Sequence, residues 1–242
     1  MKVVAIIQAR MGSTRLPGKV LKDLAGQTVL ARVVNRTRRA ALLDEVVIAT
    51  TLKPADNVIV EECARLQTPC FRGDEADVLD RYYRAAQEFS ADAVVRITSD
   101  CPLIDPELID EHVQRLLDRW TDVDFVTNMS KQTFPLGLAV EAMPADVLTR
   151  MKRLSQTEEL KEHVTTLAYV EPEWFRIDNI LYPQDLSNHR WTVDTPEDLE
   201  LVRLIFRHFG DDQFSWREVL PLLEQHPGWA QINRAGLRKT VG

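Results

Sequence analysis

The chain has 242 residues, of which 45% are hydrophobic and 28% charged, and this length allows one sizeable core in a single α/β domain over residues 1–242. Its formal net charge of −7 argues against a general nucleic-acid-binding surface, and no apolar run reaches the roughly 18 residues that a transmembrane helix needs. The N-terminus has no signal-peptide pattern and the three cysteines have no Cys-x-x-Cys spacing, so we expect a cytoplasmic protein without a disulfide framework or a zinc site.

Positive charge is concentrated near the N-terminus. Nine of the 30 Lys and Arg residues lie in residues 1–40, together with a single acidic residue, Asp23. The remainder of the chain is therefore strongly acidic. A basic mouth on an acidic body suits a small polyanionic ligand better than the long backbone of a nucleic acid.

The first predicted element is a short buried strand over residues 3–7, which leads into a basic loop over residues 8–19. The loop contains three cations, Arg10, Arg15 and Lys19, and two glycines, with Ser and Thr between the basic positions. Glycines let backbone N–H groups approach a ligand closely, and Arg and Lys neutralise an anion that carries several charges. This composition predicts a triphosphate site.

Two known phosphate-binding motifs do not match this loop. A Walker A loop has four residues between its glycines and a Ser or Thr after the lysine, whereas five residues separate Gly12 from Gly18 and Val20 follows Lys19. The dinucleotide fingerprint Gly-x-Gly-x-x-Gly is also absent. The remaining alternative is an ordinary strand-to-helix loop that happens to be basic.

Strands and helices then alternate, which favours a parallel sheet with helices on both faces. Thr28 caps a predicted helix that reaches Thr37. Three arginines lie on the face of this helix opposite the apolar one: Arg32, Arg36 and Arg39. Further predicted strands cover residues 46–50, 70–72 and 92–98, and further predicted helices cover residues 55–66, 76–89 and 105–120.

The pattern changes after Asp122, where the predicted strands become short and lie far apart. They cover residues 125–127, 138–142 and 175–177, with a helical stretch over residues 145–170. Residues 189–193 are predicted as the last strand of the sheet, and Thr195 caps the next helix, which has a proline at its first position. A final amphipathic helix covers residues 215–225, and the tail from residue 230 is expected to fray.

Asp100 and Asp194 each follow a predicted sheet strand and stand just before a helix start. In open α/β sheets ligands bind beyond the carboxyl ends of the strands, so both carboxylates are expected on the edge that carries the basic loop. Two carboxylates that face a triphosphate require a cation between them, and Mg²⁺ suits because it takes one or two carboxylates, phosphate oxygens and water. The alternative is that each aspartate only caps its helix, which is the preferred interpretation for Asp105 and Thr195.

Several motifs resemble the cytidylyltransferases that make CMP-activated acid sugars. This family includes the acylneuraminate and 3-deoxy-manno-octulosonate cytidylyltransferases and the related spore coat polysaccharide biosynthesis (SpsF) group. The matching stretches are residues 7–19, 71–73, 77–83, 96–105, 162–165 and 191–199. The resemblance covers most of the chain to about residue 206, whereas residues 210–242, a predicted helix and tail, match no motif of the family.

The resemblance implies a three-layer Rossmann-like (nucleotide-diphospho-sugar transferase) α/β fold with a mostly parallel central sheet and helices on both faces. A small insert at about residues 128–185 would form the acceptor pocket and the contact of a homodimer. The implied reaction is the attack of an acidic-sugar hydroxyl on the α-phosphorus of CTP, with release of pyrophosphate, for cell-surface polysaccharide synthesis. Such a transfer needs positioning and charge neutralisation more than a protein nucleophile.

The loop composition and the resemblance together assign residues to the site. Catalytic roles fall to Arg10, Lys19, Asp100 and Asp194, and the two aspartates would bind Mg²⁺. The nucleotide would contact Ala9, Arg10, Met11, Gly12, Ser13, Thr14, Arg15, Lys19, Arg72, Gly73 and Ser99. The acceptor would contact Gly137, Glu141, Glu162 and His163.

Two departures from the family leave the identity of the sugar open. The acid-sugar synthetases carry an acidic residue after the Thr-Thr of the second strand, whereas Leu52 and Lys53 follow Thr51 here. Their metal motif is often Gly-Asp-x-Pro, whereas residues 99–102 read Ser-Asp-Cys-Pro. Two other functions also stay open: another nucleotidyltransferase or a glycosyltransferase on the same fold, and a non-catalytic nucleotide-sugar-binding protein.

Overall fold

The computed structural model describes residues 1–234, so the last eight residues of the predicted tail lie outside the described residues. The strands are β1 (Val3–Gln8), β2 (Asp23–Leu24), β3 (Gln27–Thr28), β4 (Glu45–Thr51), β5 (Cys70–Gly73), β6 (Ala93–Thr98), β7 (Phe125–Thr127), β8 (Glu141–Pro144) and β9 (Ile177–Asn179). The helices are α1 (Val29–Thr37), α2 (Asn57–Arg65), α3 (Val78–Glu88), α4 (Pro106–Asp118), α5 (Ala145–Leu154), α6 (Glu158–Glu162), α7 (Thr166–Val170), α8 (Pro196–Phe209) and α9 (Trp216–Gln225).

Seven strands form one sheet in the order β5-β4-β1-β6-β8-β7-β9, and β2 pairs with β3 in a separate hairpin. The strands from β5 to β6 in this order are parallel, and β8 runs antiparallel to both of its neighbours. The predicted mostly parallel sheet is therefore confirmed.

Helices cover both faces of the sheet, as predicted. Helices α1, α2, α4, α8 and α9 pack on one face, and α3, α5 and α7 pack on the other. Because both faces are covered, successive side chains of β1 alternate between two buried cores, with Ala5 and Ile7 in one and Val4 and Ile6 in the other.

Within residues 1–234, none of the helices combines the length and the apolar character that crossing a membrane requires.

The parallel register brings the basic loop and Asp100 to the same edge of the sheet. β1 and β6 pair from Val3 opposite Ala93 to Gln8 opposite Thr98, so both strands end at one level. The segment before Asp194 joins this edge because the N–H of Val193 donates to the carbonyl of Asp100 at 2.7 Å. The basic loop, Asp100 and Asp194 therefore meet as expected for an open α/β sheet.

The second half of the sheet differs from the predicted bounds. The strand predicted over residues 138–142 begins only at Glu141, because Asn128 takes the hydrogen bonds of the residues before it. The side chain of Asn128 donates to the carbonyl of Leu138 at 2.8 Å and accepts from the N–H of Val140 at 3.0 Å. The strand predicted over residues 175–177 is likewise shifted and is β9.

The helical stretch predicted over residues 145–170 is confirmed in part, because it consists of three separate helices, α5, α6 and α7. Ser155 ends α5 in an extended conformation. Thr157 then starts α6, and its side chain accepts from the N–H of Leu160. A threonine that caps a new helix competes with continuation of the preceding one.

The prediction of a last sheet strand over residues 189–193 is also wrong. This segment makes one isolated parallel bridge, between Leu136 and Arg190, and the N–H of Trp191 donates to the carbonyl of Leu136. It therefore pairs with the loop between β7 and β8. Its apolar pattern reflects burial of Trp191 and Val193 in the core and not a place in the sheet.

Two of the three arginines on the polar face of α1, Arg32 and Arg36, are buried, whereas Arg39 is exposed. Arg32 and Arg36 are only 3% and 0% exposed. The guanidinium of Arg32 pairs with Asp212 at 3.1 Å, and that of Arg36 lies 4.4 Å from the ring centroid of Phe214. Burial lowers the pKa of Arg36 to about 10. The segment between α8 and α9 thus covers the guanidinium groups of Arg32 and Arg36.

Candidate active site

A cavity of about 370 Å³ opens at the carboxyl edge of β1 and β6, between the basic loop, α3 and the end of α6. The predicted site residues that line it are Ala9, Arg10, Gly12, Ser13, Thr14, Arg15, Lys19, Ser99, Asp100, Glu162, His163 and Asp194. The predicted site residues that do not line it are Met11, Arg72, Gly73, Gly137 and Glu141. Lining residues that sequence reasoning missed are Gln8, Val20, Val78, Arg81 and Thr98.

Backbone hydrogen bonds hold the basic loop in shape. The carbonyl of Met11 accepts from the N–H groups of Ser13 and Gly18 at 2.9 and 3.1 Å, and the N–H of Met11 donates to Asp56 at 2.7 Å. Gly18 has a φ of 65°, a left-handed conformation that favours glycine, and it turns the chain into the short helix that begins at Lys19. Met11 therefore holds the loop closed instead of lining the cavity.

The Lys19 ammonium lies between the two candidate metal ligands. Its Nζ is 2.7 Å from Asp100 Oδ2 and 2.7 Å from Asp194 Oδ1. Burial alone would raise the pKa of Asp100, but the Lys19 ammonium outweighs burial and holds that pKa below its usual value. In turn, burial lowers the pKa of Lys19, and the two carboxylates raise it by more. Lys19 and Asp100 are therefore both charged at neutral pH.

Two further cations hold Asp194. Arg190 Nη2 and Arg15 Nη2 lie 2.6 and 3.0 Å from Asp194 Oδ2. Arg190 is buried and also binds Asp198 through its Nε at 3.0 Å. Asp198 in turn closes a capping box with Thr195 at the start of α8, so the predicted capping role of Thr195 is confirmed.

The aspartate pair offers a donor set that suits a magnesium ion. One carboxylate oxygen of Asp100 and one of Asp194 approach a single cation. In the described part of the chain, no group of three or more acidic, His or Cys side chains could hold a metal. Mg²⁺ needs only one or two carboxylates when phosphate oxygens and water complete its shell. The two carboxylates therefore fit a Mg²⁺ ion whose remaining ligands are phosphate oxygens and water.

Arg72 and Gly73 lie outside the cavity, whereas the resemblance predicts that they contact the base. The guanidinium of Arg72 donates to the carbonyl of Thr51 at 2.8 Å and to the side chain of Asn57 at 2.9 Å, so it fixes the chain between β4 and α2. Gly73 makes room for Arg81, since a Cβ at Gly73 would lie 3.0 Å from Arg81 Cγ.

Gly137 lies outside the cavity as well, although the resemblance predicts an acceptor contact for it. Its φ is 112°, and a Cβ at this position would lie 2.7 Å from the backbone nitrogen of Thr192. The glycine therefore permits a close approach of two backbone segments, one of which leads to Asp194.

Glu141, a predicted acceptor contact, is buried in a polar group beside β6. Its carboxylate accepts hydrogen bonds from Thr165 Oγ1 at 2.9 Å and Tyr169 Oη at 2.5 Å, and it pairs with Arg96. Burial, followed by the charge of Glu141, raises the pKa of Tyr169. The carboxylate is thus engaged by three neighbours within the fold.

Glu162 and His163 are the residues of the insert that line the cavity. They stand at the end of α6, and Glu162 Oε1 lies 3.9 Å from Arg10 Nη2. Because both partners of this ion pair are half-exposed, the contact is weak in water and leaves Arg10 available to a ligand.

The missed lining residues follow from strand pairing and helix periodicity. Gln8 and Thr98 are neighbours across β1 and β6, and Thr98 precedes Asp100 by two residues on the same strand end. Val78 and Arg81 are three residues apart on α3 and so share one helix face. The i, i+3 spacing within the motif at residues 77–83 is the signal that could have pointed to Arg81.

Known proteins match this chain along most of its length. A family model described as cytidylyltransferase matches residues 4–225. Spore coat polysaccharide biosynthesis protein SpsF of Bacillus subtilis is 34% identical over 241 residues, which cover 96% of this chain and 98% of that protein. A 3-deoxy-manno-octulosonate cytidylyltransferase of Pelobacter propionicus is 38% identical over 121 residues, about half of each chain.

A solved structure agrees with the fold over the same length. The structure of a cytidylyltransferase from Leptospira borgpetersenii has a TM-score of 0.93 and 31% identity, and it covers 96% of this chain and 97% of that one. The family match, the shared architecture and the meeting of the basic loop with the aspartate pair agree with one another. The chain belongs to the cytidylyltransferase family.

Proposed function

We propose that this protein is a CTP-dependent enzyme that transfers CMP to a hydroxyl of a 2-keto acid sugar and releases pyrophosphate, for the synthesis of a cell-surface polysaccharide. The observation that carries the proposal is the meeting of Arg15 and Lys19 with Asp100 and Asp194 in one cavity. Two similar proteins support the substrate class, since one is named for spore coat polysaccharide and the other for 3-deoxy-manno-octulosonate.

The proposed reaction is a displacement at the α-phosphorus of CTP. The acceptor oxygen forms a bond to this phosphorus, the bond from the phosphorus to the bridging oxygen of the β-phosphate breaks, and the hydroxyl proton passes to solvent. Arg10, Arg15 and Lys19 neutralise the charge that gathers on the departing pyrophosphate. Positioning and charge neutralisation suffice, so no protein nucleophile takes part.

Asp100 and Asp194 would hold a magnesium ion, which when bound neutralises phosphate charge and lowers the pKa of the acceptor hydroxyl. The same two carboxylates bind the Lys19 ammonium in the free protein. Once released from them, Lys19 can turn to the phosphates. One lysine would thus keep the acids neutralised before binding and stabilise the leaving group afterwards.

Titration calorimetry with CTP and Mg²⁺ tests the nucleotide. We expect CTP to bind and, at a hundredfold excess over its Kd, to stabilise the protein by about 3 kcal/mol, with much smaller thermal shifts from UTP, GTP and sugar nucleotides. A protein that does not bind CTP would refute the proposal. Preferential stabilisation by UTP or GTP would point instead to another nucleotidyltransferase on this fold.

Pyrophosphate release tests the transfer and its acceptor. With CTP and Mg²⁺, we expect release to depend on a 2-keto acid sugar such as 3-deoxy-manno-octulosonate or N-acetylneuraminate, and neutral hexoses serve as controls. Equal rates with neutral sugars would contradict the acidic acceptor. CTP binding without release for any sugar tested would favour a non-catalytic binding protein.

A further inference from the structure

Arg81 is a buried cation in the cavity wall that the transfer described above leaves unused. It comes from α3 and not from the basic loop, and its side chain is only 2% exposed. Its Nη1 donates to the carbonyl of Asp74 at 2.6 Å, whereas its Nε is buried without a hydrogen-bond partner. Within residues 1–234, no carboxylate forms an ion pair with its guanidinium.

The acids nearest to Arg81 are engaged elsewhere. Asp56 accepts from the N–H of Met11 at 2.7 Å, and Asp74 accepts from backbone N–H groups at 2.7 and 3.0 Å. Burial lowers the pKa of Arg81 and the like charge of Arg10 acts in the same direction, and the opposing effects of Tyr82, Asp56 and Asp74 do not reverse the shift. Among the described residues Arg81 thus has one hydrogen bond to a carbonyl and no ion pair, and a buried cation in this state favours a ligand with a negative group.

Gln8 offers a second donor in the same cavity. It ends β1 beside Thr98, and its side-chain Oε1 is buried without a partner. Gln8 lines the cavity, and the Nε2 group of its amide is the donor that it can offer to a ligand there. A guanidinium and an amide N–H group together present donors, and this combination matches a carboxylate.

We propose that Arg81 and Gln8 bind the carboxylate of the acceptor sugar, an inference that rests on the proposed transfer to an acidic sugar. The triphosphate has its own cations, since Arg15 and Lys19 already contact the aspartate pair and Arg81 does not. A neutral pyrimidine would leave the charge of Arg81 uncompensated, whereas a carboxylate cancels it. The enzyme thus selects an acidic acceptor because its carboxylate forms an ion pair with the buried Arg81.

The test titrates 3-deoxy-manno-octulosonate and N-acetylneuraminate into protein saturated with Mg²⁺ and the non-hydrolysable α,β-methylene analogue of CTP. Arg81→Gln removes the buried charge. Arg84→Gln is the matched control, because Arg84 lies on the same helix, pairs with Asp80 and has a side chain that is 63% exposed. We expect an acid to bind the wild type and Arg84→Gln equally, and to bind Arg81→Gln at least about tenfold more weakly.

Two further readouts separate this role from a structural one. The affinity for the CTP analogue should stay unchanged in Arg81→Gln, and Arg81→Lys should recover part of the lost acid affinity. In the absence of ligand, Arg81→Met should raise the melting temperature, because it removes an unpaired buried charge. A lower melting temperature together with unchanged acid affinity would overturn the proposal.

The remaining outcomes distinguish this inference from the proposed function. If Arg81→Gln loses affinity for the CTP analogue as strongly as for the acid, Arg81 belongs to the nucleotide site and the inference is overturned. If the wild type binds the analogue but neither acid, the carboxylate site is overturned while the nucleotide part of the proposed function stands. If the wild type does not bind CTP at all, both fall.

Discussion

Asp194 is the residue at which the cations of the site converge. Lys19, Arg15 and Arg190 all contact its carboxylate, and only the first two belong to the basic loop. Asp100 shares Lys19 with it and has no second basic partner in the described chain. The two acids are therefore held differently, although the sequence around them looks alike.

Neutral isosteres of these aspartates should remove turnover and keep the fold. We expect Asp100→Asn and Asp194→Asn each to lower pyrophosphate release by about 100-fold or more, because the site loses a preorganised charge at the reacting phosphates. Circular dichroism checks the fold. Asp118→Asn, on the exposed end of α4, is the control and should keep the wild-type rate. Wild-type rates in both site variants would contradict the assignment of these acids.

His112 should make stability depend on pH. It is fully buried on α4, its Nδ1 lies 2.7 Å from the carbonyl of Leu108, and burial lowers its pKa from 6.5 to about 4. The unfolded chain therefore takes up a proton that the folded protein refuses. This contribution is fully present above pH 6.5 and is lost as the pH falls toward 4, which amounts to about 3 kcal/mol.

Urea unfolding at a series of pH values between 7.5 and 4 measures this effect. His112→Gln should flatten the loss of unfolding free energy between pH 6.5 and about 5, where few carboxylates titrate. His208→Gln changes an exposed histidine and should leave the slope as it is. Equal slopes for His112→Gln and the wild type would show that another group causes the dependence.

Single residues could be predicted from the sequence where the motif itself carries the chemistry. The loop cations and the two aspartates lie in the cavity because short, local motifs place them at strand ends. Arg72 could not be excluded from the cavity in this way. Its hydrogen-bond partners, the carbonyl of Thr51 and the side chain of Asn57, depend on how two strands pair.

The C-terminal segment after α9 forms hydrogen bonds with residues that hold Asp194. Asn233 is buried, and its Nδ2 donates to the carbonyl of Arg190 and to Asp198 Oδ1, both at 2.8 Å. Since Arg190 and Asp198 hold Asp194, this segment is connected to the acidic pair through two hydrogen bonds. It lies beyond the residues that the family model matches.

Loss of the Asn233 side chain should therefore weaken the fold. We expect Asn233→Ala to reduce the free energy of unfolding by about 1–3 kcal/mol, because it leaves buried acceptors with fewer donors. Chemical denaturation measures the change. Arg234→Ala alters the exposed neighbour and should stay within about 0.5 kcal/mol of the wild type. A similar small change for Asn233→Ala would mean that solvent replaces its contacts.

The parallel strands β1, β4, β5 and β6 could be predicted because each buried strand is a local apolar run. The strand predicted over residues 92–98 is β6, which differs from it by one residue. The elements of the insert were harder to predict, since the side chain of Asn128 replaces strand pairing for the residues after Gly137. The hydrogen bonds of the Asn128 side chain thus explain why β8 begins later than predicted.

At the scale of the whole molecule, the resemblance predicts a homodimer that uses the insert at residues 128–185. Three large apolar side chains of this insert are open to solvent: Val170, Trp174 and Leu181, with 57, 48 and 48% of their surface exposed. We expect light scattering after size exclusion to give twice the chain mass of 27.7 kDa. Trp174→Glu should give the monomer, because a carboxylate would be buried without a partner.

Leu52→Glu is the control for this prediction. Leu52 is as exposed as these side chains but lies outside the insert, so the dimer should persist. A wild-type monomer would contradict the prediction, and loss of the dimer in both variants would show that it does not depend on the insert.

The overall architecture could be predicted because the alternation of strands and helices is regular up to α4. The packing of α1 against the C-terminal part could not, since Arg32 meets Asp212 across 180 residues of sequence. Charged residues at helical spacing look solvent-exposed until a distant acid and aromatic ring cover them.

The position of Lys19 has a consequence for the order in which ligands arrive. Its ammonium acts as a built-in counter-ion, so an approaching polyphosphate never meets two bare carboxylates. If a divalent ion bound without a nucleotide, the Lys19 ammonium would lose its ion pairs with Asp100 and Asp194 and would gain no new anionic partner. A nucleotide supplies that partner. We therefore expect the divalent ion to bind weakly to the free protein and more tightly once the nucleotide is bound.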